Sequence, residues 1–315
     1  MKKPIQGIHH ITAIVGHPQE NLDFYVDVLG LRLVKKTVNF DDPGTYHLYF
    51  GTREGAPGTI MTTFPWAGAA PGKTGTGMVG VTPFAVPEGA LPFWKKRLEE
   101  KGVAVTKTER FGEKSLSFED PHGLKLELTA RKEGEASDWT YDTITSAEAI
   151  KGFAGAVLYT ADPDATGRLL TDVMGLEKVG DDGHFVRYRS EAPLGSVIDI
   201  DTSVTESGGY GVGTVHHIAW RAEDDENQLE WRSHIQEAGF RVTEVMDRQY
   251  FKAVYFREKG GVLFEIATDP PGFLWDEEED RLGTGLKLPP WLEPSREKIE
   301  NIVIPVTNPA HRGDQ

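Results

Sequence analysis

The chain repeats one local order four times: a strand, a helix ended by glycine, then three strands. In the first unit a strand over Ile8–Val15 precedes a helix with apolar spacing Leu22, Tyr25, Val26 and Leu29, stopped by Gly30. Strand-like runs follow at 31–40, 46–50 and 59–64. The second unit gives 78–86, a helix through Leu91, Trp94 and Leu98 ending at Gly102, then 103–108, 115–118 and 124–128. The third gives 153–159, a helix over 165–174 stopped by Gly175, then 177–180, 184–189 and 196–200. The fourth starts at Thr214, has a helix through Leu229, Trp231, Ile235 and Ala238 ending at Gly239, then 240–246, 253–257 and 262–267. Internal repetition of this kind governs the whole fold. One such unit leaves a face of its curved sheet bare, so two must close together. The expected class is α+β, with four βαβββ modules paired into two domains.

The modules are bounded as 1–68, 75–131, 150–203 and 212–272. A polar stretch at 132–149 reads as a linker, and 273–315 as a C-terminal tail with an acidic run and a short helix candidate over 295–302. Length matches two ordinary domains. The net charge of -15 argues against nucleic acid or an anionic membrane as partner. With no cysteine there is no thiolate nucleophile and no Cys-based zinc site. Met1-Lys2-Lys3-Pro4 runs into the first strand without an apolar leader, and no apolar run would span a bilayer, so a cytoplasmic location is expected.

Repetition also provides an internal control. The first strands of units one and four carry His9-His10 and His216-His217, where units two and three have Gly80 and Gly155 nearby. On the last strands, unit four has Glu265, unit two Glu127, unit three Asp199 and unit one Thr62. A lone carboxylate in an apolar strand needs a partner, and a metal ion is a common one. If units one and four lie together, one His from each pair and Glu265 make the two-imidazole, one-carboxylate set of non-haem Fe(II) oxygenases. Thr62 in place of a fourth ligand leaves positions open. Strand alternation points the two His of a pair to opposite faces, and does not tell which one binds. Glu127, Asp199, His47, His122, His184 and His234 read as structural. Gly260-Gly261 is a hairpin or bulge signal, and no nucleotide-binding glycine fingerprint is present.

With these residues in view, the chain resembles the vicinal oxygen chelate superfamily, which includes glyoxalase I and extradiol dioxygenases. Within it, the resemblance is to ring-cleaving dioxygenases of the MhqA/MhqO type, which act on hydroquinones. The matching stretches are Gly7-Ile8-His9-His10-Ile11-Thr12, Tyr46-His47-Leu48-Tyr49-Phe50, Pro57 to Pro65, His216-His217, and Asp247-Arg248-Gln249-Tyr250-Phe251 through Tyr255 to Glu265. The resemblance implies two vicinal-oxygen-chelate domains, modules one and four in one and modules two and three in the other. It implies Fe(II) held by His10, His217 and Glu265, with His9, Arg248 and Tyr255 assisting catalysis. The implied substrates are a small aromatic diol and O2, and a homo-oligomer is left open. Three other readings remain: a catechol-type extradiol dioxygenase, a glyoxalase-type isomerase or thiol transferase, and a non-catalytic aromatic-binding protein. Thr62 argues against the four-ligand site of the second, and the retained ligand set against the third.

Overall fold

The structure is a computed structural model describing residues 4–311. Met1-Lys2-Lys3 and the end of the expected tail, 312–315, lie outside the described residues. Unit one folds as β1 (Ile8–Val15), α1 (Pro18–Leu22), β2 (Arg32–Asn39), β3 (Asp42–Gly51) and β4 (Ile60–Pro65). Unit two is β5 (Met78–Val86), α2 (Leu91–Glu100), β6 (Thr106–Arg110), β7 (Glu113–Glu119) and β8 (Lys125–Ala130). Unit three is β9 (Gly152–Phe153), β10 (Gly155–Tyr159), α3 (Pro163–Arg168), β11 (Glu177–Asp182), β12 (Phe185–Arg189) and β13 (Val197–Asp201). Unit four is β14 (Thr214–Ala222), α4 (Asp225–Glu237), β15 (Met246–Asp247), β16 (Lys252–Arg257) and β17 (Leu263–Thr268). Asp162 and Asp224 start α3 and α4, their carboxylates accepting from the N–H of Ala165 and Asn227. Both α1 and α3 widen into π-helical turns, Asp23–Val28 and Leu169–Val173, before their glycine stops.

The strands make two sheets. One runs β15-β16-β17-β14-β1-β4-β3-β2, joining units one and four through antiparallel β1 and β14. The other runs β11-β12-β13-β10-β5-β8-β7-β6, joining units two and three. Alternation then decides what each face buries. In the first sheet Ile218, Trp220, Val254, Phe256, Phe264 and Ile266 face the helix side and join the main core with Trp231 and Ile235 of α4. Their neighbours Tyr49, Ile60, Ala219, Ala253 and Ala267 face inward, with Tyr250, Phe251, Phe273 and Leu282, in a separate small core. This inner face is the cup in which the site is built.

Three stretches differ from the sequence reading. The strand expected at 240–246 is only Met246–Asp247. Before it the chain meets β16 through Thr243, whose N–H donates to the Tyr255 carbonyl while its hydroxyl oxygen accepts from the Tyr255 N–H. A side chain has replaced part of the ladder. The 132–149 stretch is not a bare linker: Ile144 and Ala149 are buried, and Trp139 lies under the Arg32 guanidinium at 4.8 Å. The tail closes the inner end of the cup. Lys35, on the inner face of β2 and fully buried, reaches Asp276 and Glu277 at 2.5 Å each. Two carboxylates from the acidic run thus satisfy a charge that burial would otherwise forbid. The helix expected over 295–302 forms as α5 (Arg296–Ile302). No helix among the described residues is long and apolar enough to cross a membrane.

Candidate metal centre

Both histidine pairs sit at β-bulges. Between β1 and β14, Ile8 faces Trp220 and His10 faces Ala219, so His9 is an extra residue; Thr12 faces His217 and Ala13 faces Val215, so His216 is another. A bulge interrupts the alternation of side chains. The expected opposition of the two rings is therefore overturned, and each pair sits side by side. His9 Nδ1 lies 2.9 Å from His10 Nδ1, and His216 Nδ1 lies 2.8 Å from His217 Nδ1. With the proton on Nδ1 of the second His, the first His accepts it, and Nε2 of the second keeps its lone pair.

Those lone pairs converge. His10 Nε2 and His217 Nε2 are 3.2 Å apart, and Glu265 Oε2 is 3.5 and 2.9 Å from them. All three residues are buried, and their ligand atoms lie within 4.8 Å of one another. Neither Glu265 oxygen has a hydrogen bond, although Oε2 comes close to His217. A buried carboxylate with two orphaned oxygens, facing two imidazole nitrogens, fits a cation shared by all three. Burial holds His217 below the usual histidine range, hence neutral, as a metal ligand must be. Burial pushes Glu265 up, but His10 and His217 outweigh it and keep it well below the usual carboxylate range. The fourth corner is Thr62. It faces Thr12 across β1–β4 as Glu265 faces Ala219 across β14–β17, and its hydroxyl bonds Thr12 at 2.8 Å.

In front of the triad is a cavity of about 350 Å³. Phe251, Phe64 and Trp66 give it aromatic walls; His216, Arg248 and Tyr255 give it polar ones. Arg248 Nε donates to the Tyr255 hydroxyl at 3.3 Å, and Nη1 reaches Asp41 at 2.9 Å. The Tyr255 ring meets His217 edge-on at 5.8 Å. Burial, then the Glu265 charge, push the Tyr255 phenol up, so it stays protonated at neutral pH. His9 differs from the other residues expected to assist catalysis: it packs behind His10 against Phe251 and is absent from the cavity wall.

The sequence pattern of the Glyoxalase/Bleomycin resistance protein/Dioxygenase superfamily matches residues 7–128 and 152–276. The chain belongs to this superfamily. Its relatives include the provisionally named ring-cleaving dioxygenase MhqO of Bacillus subtilis (strain 168), 60% identical over 305 residues, 97% of this chain and 98% of the relative. A chlorohydroquinone/hydroquinone 1,2-dioxygenase of Sphingobium indicum is 34% identical over 94% of this chain and 95% of its own length. The crystal structure of a provisionally named dioxygenase from Bacillus subtilis superposes with a TM-score of 0.96, at 59% identity, over 98% of this chain and 99% of the other. Glyoxalase I from Zea mays, at 14% identity and a TM-score of 0.62 over 84% of this chain and 92% of its own, shares the fold alone. By family the chain is thus an oxidoreductase of the ring-cleaving dioxygenase kind.

Against that background the sequence reading missed two residues. His47 reads as structural in the sequence and Tyr49 carries no role there, yet both line the cavity. The available signal was the repeat itself. Tyr49 faces Thr62 across β3–β4 as Tyr255 faces Glu265 across β16–β17, and His47 shares the inner face with Tyr49, two residues on. The register also corrects one placement: two residues before Pro83, the partner of Glu127, stands Val81, so Gly80 matches His9 rather than His10.

Proposed function

We propose that the chain is an Fe(II)-dependent dioxygenase that opens hydroquinone-type aromatic rings with O2. The observation carrying this reading is the convergence of His10, His217 and Glu265 on one point, with the hydrogen-bonding capacity of Glu265 unused and Thr62 at the fourth corner. His10, His217 and Glu265 would hold the iron. Bound there, Fe(II) would lower the pKa of a ring hydroxyl and bring the ring and O2 together.

The remaining work falls to the chain's own side chains. His9 and His216 orient the two ligand imidazoles through their Nδ1 contacts. Phe251 and Phe64 confine a flat ring next to the triad and exclude water. Tyr255, protonated and held by Arg248, can donate a proton at its hydroxyl and take it back. The Arg248 guanidinium stabilises negative charge on a substrate oxygen beside that hydroxyl. Both atoms of O2 would end in the ring-opened product.

Anaerobic reconstitution with Fe(II), followed by O2 uptake with hydroquinone and catechol panels, tests the reading. One iron per chain and faster cleavage of hydroquinone support it. Efficient catechol cleavage with no hydroquinone turnover would move the enzyme to the catechol-type class. Isomerase activity with no O2 uptake would remove the dioxygenase reading.

A further inference from the structure

The cavity holds two phenols, placed by the same pseudo-symmetry. Tyr255 stands beside Glu265, and Tyr49 beside Thr62. Tyr255 has Arg248 as its partner. Tyr49 has His47, with its hydroxyl 2.8 Å from Nδ1. His47 Nε2 lies 2.8 Å from the Thr62 hydroxyl, which in turn bonds Thr12 at 2.8 Å. The Tyr49 ring is pinned by Phe273 and Tyr250, at 5.0 and 6.1 Å between centroids, so its hydroxyl has little freedom apart from its proton.

Every member of this row can donate or accept, and a neutral imidazole carries one N–H. Burial, then the neighbouring His10, hold His47 well below the usual histidine range, so it is neutral. Two proton arrangements satisfy the whole row. In one, His47 Nδ1–H donates to the Tyr49 oxygen and Nε2 accepts from Thr62, leaving the Tyr49 proton free for the cavity. In the other, Tyr49 donates to Nδ1 and Nε2–H donates to Thr62, leaving a Tyr49 lone pair free. The row therefore presents either a donor or an acceptor to the cavity at no cost in unpaired buried groups. A phenolic hydroxyl, which is both, is its natural complement.

Resting on the function proposed above, we infer that Tyr49 recognises the second hydroxyl of the substrate ring, and that His47 is the positioning residue that holds it for this. With one ring oxygen directed at the triad, the second hydroxyl of the ring meets the part of the cavity lining that Tyr49 and His47 form. A monophenol there leaves Tyr49 with an unmet partner. A site built to bond a hydroxyl discriminates against the analogue lacking it.

The test is anaerobic calorimetric binding to the Fe(II)-loaded full chain, using hydroquinone, catechol and 4-methylphenol, with iron content and melting point measured for each variant. Tyr49→Phe keeps the ring and removes the hydroxyl. It should weaken hydroquinone roughly 10-fold while leaving 4-methylphenol within about twofold. Equal losses for both ligands, or no loss for either, overturn the inference. His47→Phe, which frees the Tyr49 hydroxyl, should lower the same ratio about as far, and His47→Gln, which retains a donor and an acceptor, should restore part of it. If Tyr49→Phe does not fold, an unchanged ratio in His47→Phe overturns the inference on its own. If the wild type prefers catechol and Tyr49→Phe abolishes that preference, the role of Tyr49 stands while the hydroquinone reading falls. If hydroquinone is preferred and Tyr49→Phe keeps the preference, the reading stands and the inference falls.

Discussion

The two sheets are built on one plan and answer the same electrostatic problem in opposite ways. Each has buried carboxylates on its last strands: Glu265 in the first, Glu127 and Asp199 in the second. In the second sheet the chain supplies the cations. Arg110 forks onto Glu127 at 2.8 and 2.6 Å, and Arg187 onto Asp199 at 2.7 and 2.9 Å. In the first sheet no arginine or lysine among the described residues pairs with Glu265; its near neighbours are the His10 and His217 imidazoles. The first-strand positions differ to match. Where β14 has His217, β10 has Gly155, and a Cβ there would lie 2.0 Å from the Val197 carbonyl. The second sheet does border a larger cleft, of about 1090 Å³, but Glu127 within it is already engaged by Arg110. Size of cavity therefore does not locate the chemistry. An unmet need for positive charge does, and the lesson is to ask of each buried carboxylate what neutralises it.

The largest expected effects come from removing the two matched carboxylates. Glu265→Gln should abolish iron retention and lower turnover by roughly 10³-fold or more, since the charge holding the cation is gone. In the metal-free protein it should lower the melting temperature by less than the Glu127 change does, because burial opposes the carboxylate that His10 and His217 favour. Glu127→Gln leaves iron content intact but strands Arg110, which is 13% exposed, with only Asp199 at 3.3 Å. Breaking such a mostly buried pair costs about 3 kcal/mol, which calorimetry of the metal-free chains would register as a fall of several degrees. An equal or larger fall in the metal-free Glu265→Gln protein would break the comparison.

Tyr255→Phe comes next. The Tyr255 hydroxyl is held by Arg248 beside His217, and it is the proton donor the proposed reaction uses. Turnover should fall by roughly 10²-fold with iron content unchanged. Full activity would remove the acid/base role and leave Tyr255 as a wall of the cavity.

Much of this was legible in the sequence, for a physical reason: a repeat exposes exceptions to itself. Apolar spacing and glycine stops mark the units; the two His-His pairs and Thr62 stand out because their counterparts differ, while the choice of His10 and His217 within the pairs rests on the family resemblance. The orientation of the histidines was not legible. It depends on the bulges at His9 and His216, and the alternation rule has no term for an extra residue. The burial of Lys35 could not be read either, because its partners Asp276 and Glu277 lie some 240 positions along the chain, in a tail that the repeat does not cover. The 132–149 stretch misled in the same way: its polar composition hid the burial of Ile144 and Ala149.

Acid should separate the two sheets further. Burial lowers His9, His47 and His217, and brings His216 down to about 3. Between those folded values and the ordinary unfolded one the unfolded chain binds more protons, so stability is present above about pH 6.5 and is lost as pH falls below it. A histidine held well below its ordinary value loses roughly 1 kcal/mol between pH 7.5 and 5.5 in metal-free protein. Glu265, held low, adds its own loss only below the usual carboxylate range. Among the described residues the second sheet has no buried histidine in its core; His184, at its edge, is 51% exposed. Denaturation midpoints across this range should therefore fall steeply in the wild type. Replacing His47 with Gln should make the fall shallower by about one histidine's share, and an unchanged slope would contradict the buried neutral state.

The smallest effect is expected at the hairpin tips, where the two sheets are most alike. In the second, the Asp182 carboxylate at the end of β11 accepts the Phe111 N–H at 2.6 Å, linking unit three to unit two. In the first, Asp41 between β2 and β3 pairs with Arg248 of unit four. Asp41 is 64% exposed, and an ion pair so open to water contributes under about 1 kcal/mol. Asp41→Asn should thus leave the melting point almost unchanged. Its influence on turnover should be larger than on stability, because Arg248 also holds Tyr255, and loss of one anchor widens the range of positions that guanidinium occupies. A two- to fivefold fall in kcat, growing smaller at high salt where the wild-type pair is already screened, is the expected result. The same change at Asp182 should leave kcat untouched. Equal kcat losses at the two tips would mean that the hairpins act through the fold as a whole rather than through Arg248.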